Sequence, residues 1–185
     1  VLCARPVIGD RPFAVLLGDD LIRRNPDHPP VTKQLIDAFV TSGKAQVALM
    51  RVPRSEIHRY GAAEGEPDPH NPSRFFIRSL VEKPPLGTEK TDQAVVGRYV
   101  FPPSIWSFLE KQNTGTGGEV QLTDAMERLR LAHGLEGCCF VGRRVDAGDK
   151  LGYLQANLLE ALERPALREP LLQMMRDLVQ QADSQ

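Results

Sequence analysis

Three short stretches place carboxylates, a lysine and glycines where an α/β protein can use them. The first is Gly18-Asp19-Asp20-Leu21, directly after the apolar run Phe13–Leu17. In open α/β sheets the ligand crevice lies beyond the carboxyl ends of the strands. A carboxylate on a tight Gly turn there can hold a hard cation such as Mg²⁺. The competing reading is an Asp pair that caps the next segment. The second stretch is Val81-Glu82-Lys83-Pro84, where Pro84 ends a strand. A Glu accepts hydrogen bonds from vicinal hydroxyls, and a Lys beside it neutralises a phosphate as a point charge. A solvated charge pair at a strand end is the plainer alternative. The third stretch is Arg144-Val145-Asp146-Ala147-Gly148-Asp149-Lys150, just before a helix. Asp146 ends a strand as Asp19 does, so two carboxylates from separate strand ends can converge on one Mg²⁺. Asp149 reads more simply as the N-cap of the helix at Leu151.

Other candidates carry less. The run Thr114–Asp124 is rich in Gly, but no Gly-Lys-Ser/Thr follows, so it is not a P-loop. Thr116 with Glu119 fits a capping box that starts a helix. Tyr60-Gly61 is either an ordinary turn or a place where backbone approaches a ligand closely. His28, His58, His70 and His133 have no partner spacing and are expected to face solvent.

The elements that must position these residues follow from pattern. Pro12–Gly18 reads as a buried strand of a mostly parallel sheet. Pro29 to Gly43 reads as a helix, with Val31, Leu35, Ile36, Phe39 and Val40 on one face and Gly43 at the stop. Gln46–Val52 is the next strand, which completes a βαβ unit. A short strand around Tyr60–Ala63, an exposed turn at Pro67–Pro72, and strands at Arg74–Glu82 and Ala94–Val100 come next. Ser104–Lys111 is a short helix, Asn113–Gly118 a loop, and Glu119 or Leu122 to His133 a helix. One strand is expected within Glu136–Val145. Leu151–Arg164 is an amphipathic helix with Leu151, Leu154, Leu158, Leu159 and Leu162 on one side, stopped by Pro165. A last helix spans about Ala166–Gln180. The expected fold class is α/β: a mostly parallel, three-layer sheet flanked by helices, with a helical C-terminus. It forms one domain over 1–185, with residues 165–185 as a C-terminal helix and tail.

Composition narrows the partners. The chain has 185 residues, 41% hydrophobic and 25% charged, an ordinary globular balance. A net charge of -1 builds no field for nucleic acid or an anionic membrane. No apolar run approaches the roughly 18 residues of a membrane span. The cysteines are Cys3, Cys138 and Cys139, an odd number without a CxxC pair. Plain thiols in a reducing cytoplasm fit that usage.

Together, five blocks give more than any one of them. Leu17-Gly18-Asp19-Asp20, Val81-Glu82-Lys83-Pro84, Ala94–Val100, Gly117–Asp124 and Asp146–Ala156 resemble, in order, the signature blocks of bacterial UTP–glucose-1-phosphate uridylyltransferases. The resemblance runs from Val1 to about Arg164. It implies a Rossmann-like nucleotidyltransferase that joins UTP to glucose 1-phosphate, releases pyrophosphate and uses Mg²⁺. Asp19 and Asp146 then match the metal-binding aspartates, and Glu82 and Lys83 the sugar- and phosphate-binding pair. Gly61 matches the glycine whose backbone touches the sugar, and Gly97 lies in the wall of the same pocket. Catalytic roles fall by resemblance to Lys83, Asp19 and Asp146. The implied partners are UTP, glucose 1-phosphate and UDP-glucose, with no nucleic acid or membrane, and a homo-oligomer at full length.

The chain departs from the family in two ways. Gly18 stands where many members have Pro, although related thymidylyltransferases carry Gly-Asp there. The family's opening Gly-x-Gly-Thr-Arg and Pro-Lys-Glu stretches have no counterpart in Val1–Gln185. The chain is therefore expected to be a C-terminal part lacking the first third or more, and inactive alone. The alternatives are another sugar-1-phosphate nucleotidyltransferase, such as a thymidylyltransferase, or a non-catalytic sugar-nucleotide-binding module.

Overall fold

The structure, a computed structural model, describes residues 1–110 and 121–184. Among them the order is α1 (Arg5–Ile8), β1 (Phe13–Leu16), β2 (Asp20–Arg24), α2 (Val31–Ser42), β3 (Ala45–Arg51), β4 (Gly61–Asp68), β5 (Asn71–Glu82) and β6 (Gln93–Phe101). Then follow α3 (Ile105–Glu110), α4 (Leu122–His133), β7 (Leu135–Cys139), β8 (Gly142–Asp146), α5 (Lys150–Glu163) and α6 (Pro165–Asp183). The expected loop Asn113–Gly118 and the Thr116–Glu119 capping box lie outside the described residues. Where the sequence suggests one domain, the chain gathers into two compact units. The first joins residues 1–17 to 24–142, and the second joins 18–23 to 143–185.

The first unit holds a six-stranded mixed sheet in the order β1-β6-β3-β7-β5-β4, in which β4 also pairs with β6. Strand β3 is buried over Ala45–Leu49, so both its faces are covered, and its sequence is apolar there except for Gln46, whose amide donates to Ser42 Oγ and Lys44 O at 3.0 Å each. It runs parallel to β7 and antiparallel to β6. The expected buried parallel strand at Pro12–Gly18 is corrected: β1 pairs antiparallel with β6, and its exposure alternates along the strand. The cause is a long-range insertion. β6 enters between β1 and β3, which still run parallel to one another on either side of it.

Helix α2 forms where expected. Gly43 closes it in the left-handed conformation, φ 68°, and its N–H donates to Phe39 O at 2.8 Å. Val31 and Leu35 are buried, but Val40 is 74% exposed, so the buried face is narrower than the apolar pattern suggested. The core contains Phe101, Ile105, Trp106, Met126 and Leu129, each at most 2% exposed. Burying each such side chain contributes roughly 1.5–3 kcal/mol. Trp106 stacks on Phe13, centroids 4.4 Å apart, and its indole N–H donates to Gly9 O at 3.1 Å. That satisfies the polar end of a buried ring.

The segment expected as a short strand and turn is a long hairpin. β4 and β5 pair from Gly61↔Glu82 to Asp68↔Asn71, with Pro67 next to a register shift. An irregular position lets a proline sit in a strand without breaking the ladder. The single strand expected within Glu136–Val145 is corrected to two. β7 ends at Cys139 in the large sheet, and β8 begins at Gly142 in a separate two-stranded sheet with β2. His28, His70 and His133 are exposed as expected. His58 is half-buried, and its Nδ1 is enclosed without a hydrogen-bond partner among the described residues.

The second unit consists of the β2–β8 pair, α5 and α6. Asp149 is the N-cap of α5, its side chain accepting from Gly152 N at 2.9 Å. The buried stripe of α5 matches the leucine face only in part: Leu158, Leu159 and Leu162 are half-buried. Leu151 and Leu154 are 77% and 58% exposed, while Gly152 and Ala156 are buried. A methyl on Gly152 would lie 1.7 Å from Asp146 O, so only glycine lets α5 start this close to the end of β8. α6 starts at Pro165, continues through Pro170 to Asp183, and has no buried residue.

Candidate functional site

The predicted site residues fall into the two units. In the first, Gly61 opens β4, and its register partners are Glu82 on β5 and Val95 on β6. Three strands therefore meet at Gly61. A methyl there would sit 3.2 Å from Glu82 Oε2 and 3.3 Å from Val95 Cβ. Glycine keeps the space in front of the Glu82 carboxylate open. Gly97 lies where β6 bulges. Val47 pairs with Tyr99 but Leu49 pairs with Val95, so β6 spends extra residues around Gly97. Gly97 O accepts from Leu17 N at 2.9 Å and from Arg98 Nη1 at 2.8 Å.

Lys83 follows Glu82 and leaves the strand in the left-handed region, φ 44°, with its N–H donating to Tyr60 O at 3.0 Å. A residue before proline prefers extended backbone, so the surroundings impose this conformation. Strained backbone of this kind clusters at functional sites. Lys83 is exposed, and among the described residues its ammonium forms no ion pair.

Sequence reasoning missed what holds Glu82. Thr123 of α4 is 6% exposed and its hydroxyl donates to Glu82 Oε2 at 2.6 Å. One helical turn on, Glu127 accepts from Leu80 N at 3.1 Å. Two positions one turn apart on α4 thus reach the end of β5, Thr123 at the Glu82 side chain and Glu127 at the Leu80 backbone. The helix fixes the strand end that carries Glu82.

In the second unit, Asp19 sits in the turn before β2 and Asp146 at the last position of β8. Ala147 N donates to Asp19 O at 2.8 Å, which ties the two segments together. A methyl on Gly148 would lie 3.1 Å from Asp146 Oδ1 and 3.2 Å from Asp19 Oδ2. Both carboxylates therefore face one small open volume. Asp146 Oδ1 also accepts from Gly148 N at 2.9 Å. No hydrogen bond or ion pair is made by the Asp19 side chain among the described residues. A cavity of about 400 Å³ adjoins Asp19, lined also by Gly18, Leu21, Tyr153, Asn157 and Glu160.

The donor set suits a hard cation. No group of three or more His, Cys, Asp or Glu gathers among the described residues. Mg²⁺ does not need one, since it is usually held by one or two carboxylates with waters and substrate phosphates completing the octahedron. Asp19 and Asp146 are the two carboxylates that would supply such a pair. Asp20, the other half of the Asp-Asp dipeptide, is buried and ion-paired to Arg144. Of the dipeptide, only Asp19 in the turn is left without a side-chain partner among the described residues.

The nucleotidyl transferase family model matches residues 1–162. The chain is 40% identical over 179 residues to a UTP–glucose-1-phosphate uridylyltransferase of Bacillus subtilis, covering 97% of this chain and 60% of that protein. It superimposes with a TM-score of 0.83 on a UTP-bound UGPase from Acinetobacter baumannii, at 36% identity over 96% of this chain and 60% of that one. It also superimposes with a TM-score of 0.81 on a UDP-glucose pyrophosphorylase complexed with UDP-glucose, at 32% identity over 88% of this chain and 61% of that one. The chain thus spans about 60% of the length of these relatives. A match that takes in residues 1–162 of 185 decides the kinship: the chain belongs to the nucleotidyl transferase family.

Proposed function

We propose that this chain is the sugar- and metal-binding part of a UTP–glucose-1-phosphate uridylyltransferase. The observation that supports this reading most is the 40% identity to an enzyme of that name along 97% of the chain. The whole reaction joins a phosphate oxygen of glucose 1-phosphate to the α-phosphorus of UTP as the bond to pyrophosphate breaks. The nucleophile needs no general base, because a phosphate monoester with a second pKa near 6 is largely dianionic at neutral pH. Catalysis then consists of positioning and charge neutralisation.

Each unit has its part. Glu82, steadied by Thr123, accepts hydrogen bonds from glucose hydroxyls; glycine at 61 adds no side chain beside that carboxylate, and Gly97 lies in the wall of the same pocket. Lys83 neutralises the sugar phosphate. Asp19 and Asp146 hold the divalent cation, Mg²⁺, which when bound supplies Lewis-acid neutralisation of phosphate oxygens. UTP, rather than the dTTP of a thymidylyltransferase, is the nucleotide favoured by the identity to the uridylyltransferase.

Assembly and location follow the same reading. Leu151, Leu154, Leu167, Met174 and Leu178 are exposed on α5 and α6, and they offer a contact face for a homo-oligomer of the full-length protein. No helix among the described residues is long and apolar enough to cross a membrane, and the cytoplasm is the proposed compartment. Calorimetric titration of the chain with UDP-glucose, with and without Mg²⁺, tests the reading. Metal-dependent binding that Lys83→Ala weakens supports it; binding indifferent to both metal and Lys83 contradicts it.

A further inference from the structure

We propose that Arg144 is a positioning residue for the divalent cation: it fixes Asp146 through one carboxylate oxygen so that the other faces the volume shared with Asp19. The proposal rests on the metal role given above to Asp19 and Asp146.

Arg144 and Asp146 lie two apart on β8, so they share a face of the strand. Val145 between them is 4% exposed and points the other way. The Arg144 side chain is 10% exposed, and its Nε donates to Asp20 Oδ1 at the start of β2. Its Nη2 donates to Asp146 Oδ2 at 3.0 Å. Asp146 Oδ1 accepts from Gly148 N. The Asp146 carboxylate is thus held from both sides, with Oδ1 the atom next to Asp19 Oδ2 across the Gly148 opening.

Two effects of Arg144 on a bound cation oppose each other. Its positive charge repels the metal, whereas its fork keeps Asp146 from turning away from the like-charged Asp19. Asp20, whose side chain is 9% exposed, neutralises the guanidinium at close range, so the repulsion is small. Orientation therefore dominates. Loss of such an outer partner costs about 10–100-fold in metal affinity. Lysine is a poor substitute, because its ammonium is a rotatable point charge on a flexible stem and does not fix two carboxylates at set angles as the planar guanidinium fork does.

Mn²⁺ titration of the chain followed by electron paramagnetic resonance tests this, with circular dichroism to monitor the fold. The variants are Arg144→Gln, Arg144→Lys and Asp146→Asn. The expected result is Mn²⁺ binding about tenfold weaker in both folded Arg144 variants. If Arg144→Gln does not fold, Arg144→Lys, which keeps the charge beside Asp20, decides alone. Affinity in Arg144→Lys equal to or above wild type overturns the positioning role. Affinity unchanged in Asp146→Asn overturns the metal role itself, and the Arg144 proposal with it.

Discussion

Asp19 Oδ2 and Asp146 Oδ1 face the same point, 3.2 and 3.1 Å from where a methyl on Gly148 would sit. The two residues are 127 apart in sequence, and backbone contact through Ala147 N brings them together. Alanine at 148 would press on both carboxylates: Asp19, with no side-chain partner among the described residues, can swing aside, while Asp146 is held by Arg144 and Gly148 N and must give by a few tenths of an ångström. Gly148→Ala is therefore expected to keep the fold and weaken divalent-cation binding roughly tenfold. Comparing Mn²⁺ titrations with thermal unfolding checks this. A large fall in melting temperature with unchanged Mn²⁺ affinity would contradict it.

Gly61 makes the matching prediction for the sugar. Its Cβ position is hemmed in by Glu82 Oε2 and Val95 Cβ. Gly61→Val is expected to displace the Glu82 carboxylate and weaken glucose 1-phosphate binding by at least about tenfold, since a misplacement near 1 Å in a binding group can cost on the order of 100-fold. Mn²⁺ binding should be untouched. Equal loss of both would mean that the substitution unfolds the chain.

Glu136 links stability to pH. Its side chain is 4% exposed, with Arg74 Nη2 at 2.7 Å and Lys44 Nζ at 3.1 Å. Burial alone would raise its pKa, but the hydrogen bonds and charges of Arg74 and Lys44 outweigh burial and hold it below the ordinary 4.5. A depressed folded-state pKa means that this stabilisation is complete above the unfolded value and is lost as pH falls through the folded one. Glu136→Gln should cost about 1–3 kcal/mol at neutral pH, and the gap to wild type should close below about pH 4.5. Denaturant unfolding at several pH values measures this; parallel curves would contradict it.

The thiols give a simple check of burial. Cys3 is exposed, while Cys138 is buried and its pKa is pushed up to about 12, chiefly by burial. The thiolate is the reactive form. At pH 8 a maleimide should modify Cys3 rapidly and leave Cys138 unmodified in the folded chain, with mass spectrometry as the readout. Rapid labelling of Cys138 would contradict its placement on β7.

Features set by local chemistry could be read from the sequence. Gly43 stops α2 because only a left-handed residue fits there, and Asp149 caps α5 because its side chain reaches Gly152 N. Features set by distant pairing could not. Nothing near Phe13 says that β6 will enter beside it, and nothing in Glu136–Val145 says that β7 and β8 will join different sheets. The leucine stripe of α5 guided only in part: the first turn starts too close to Asp146 O for anything but Gly152, and there Leu151 and Leu154 are exposed. At the site, the strand-end carboxylates were visible, but their supports Thr123 and Arg144 were not. A lone threonine or arginine carries no signal until its partner, 41 or 124 residues away, is known.

Crystals of the chain soaked in Mn²⁺ and measured at an anomalous wavelength test the shared-cation role most directly. The account predicts one strong anomalous peak within about 2–2.3 Å of both Asp19 Oδ2 and Asp146 Oδ1, at the octahedral ligand distances of such ions. A peak that touches neither carboxylate, or only one of them with the other turned away, would contradict it.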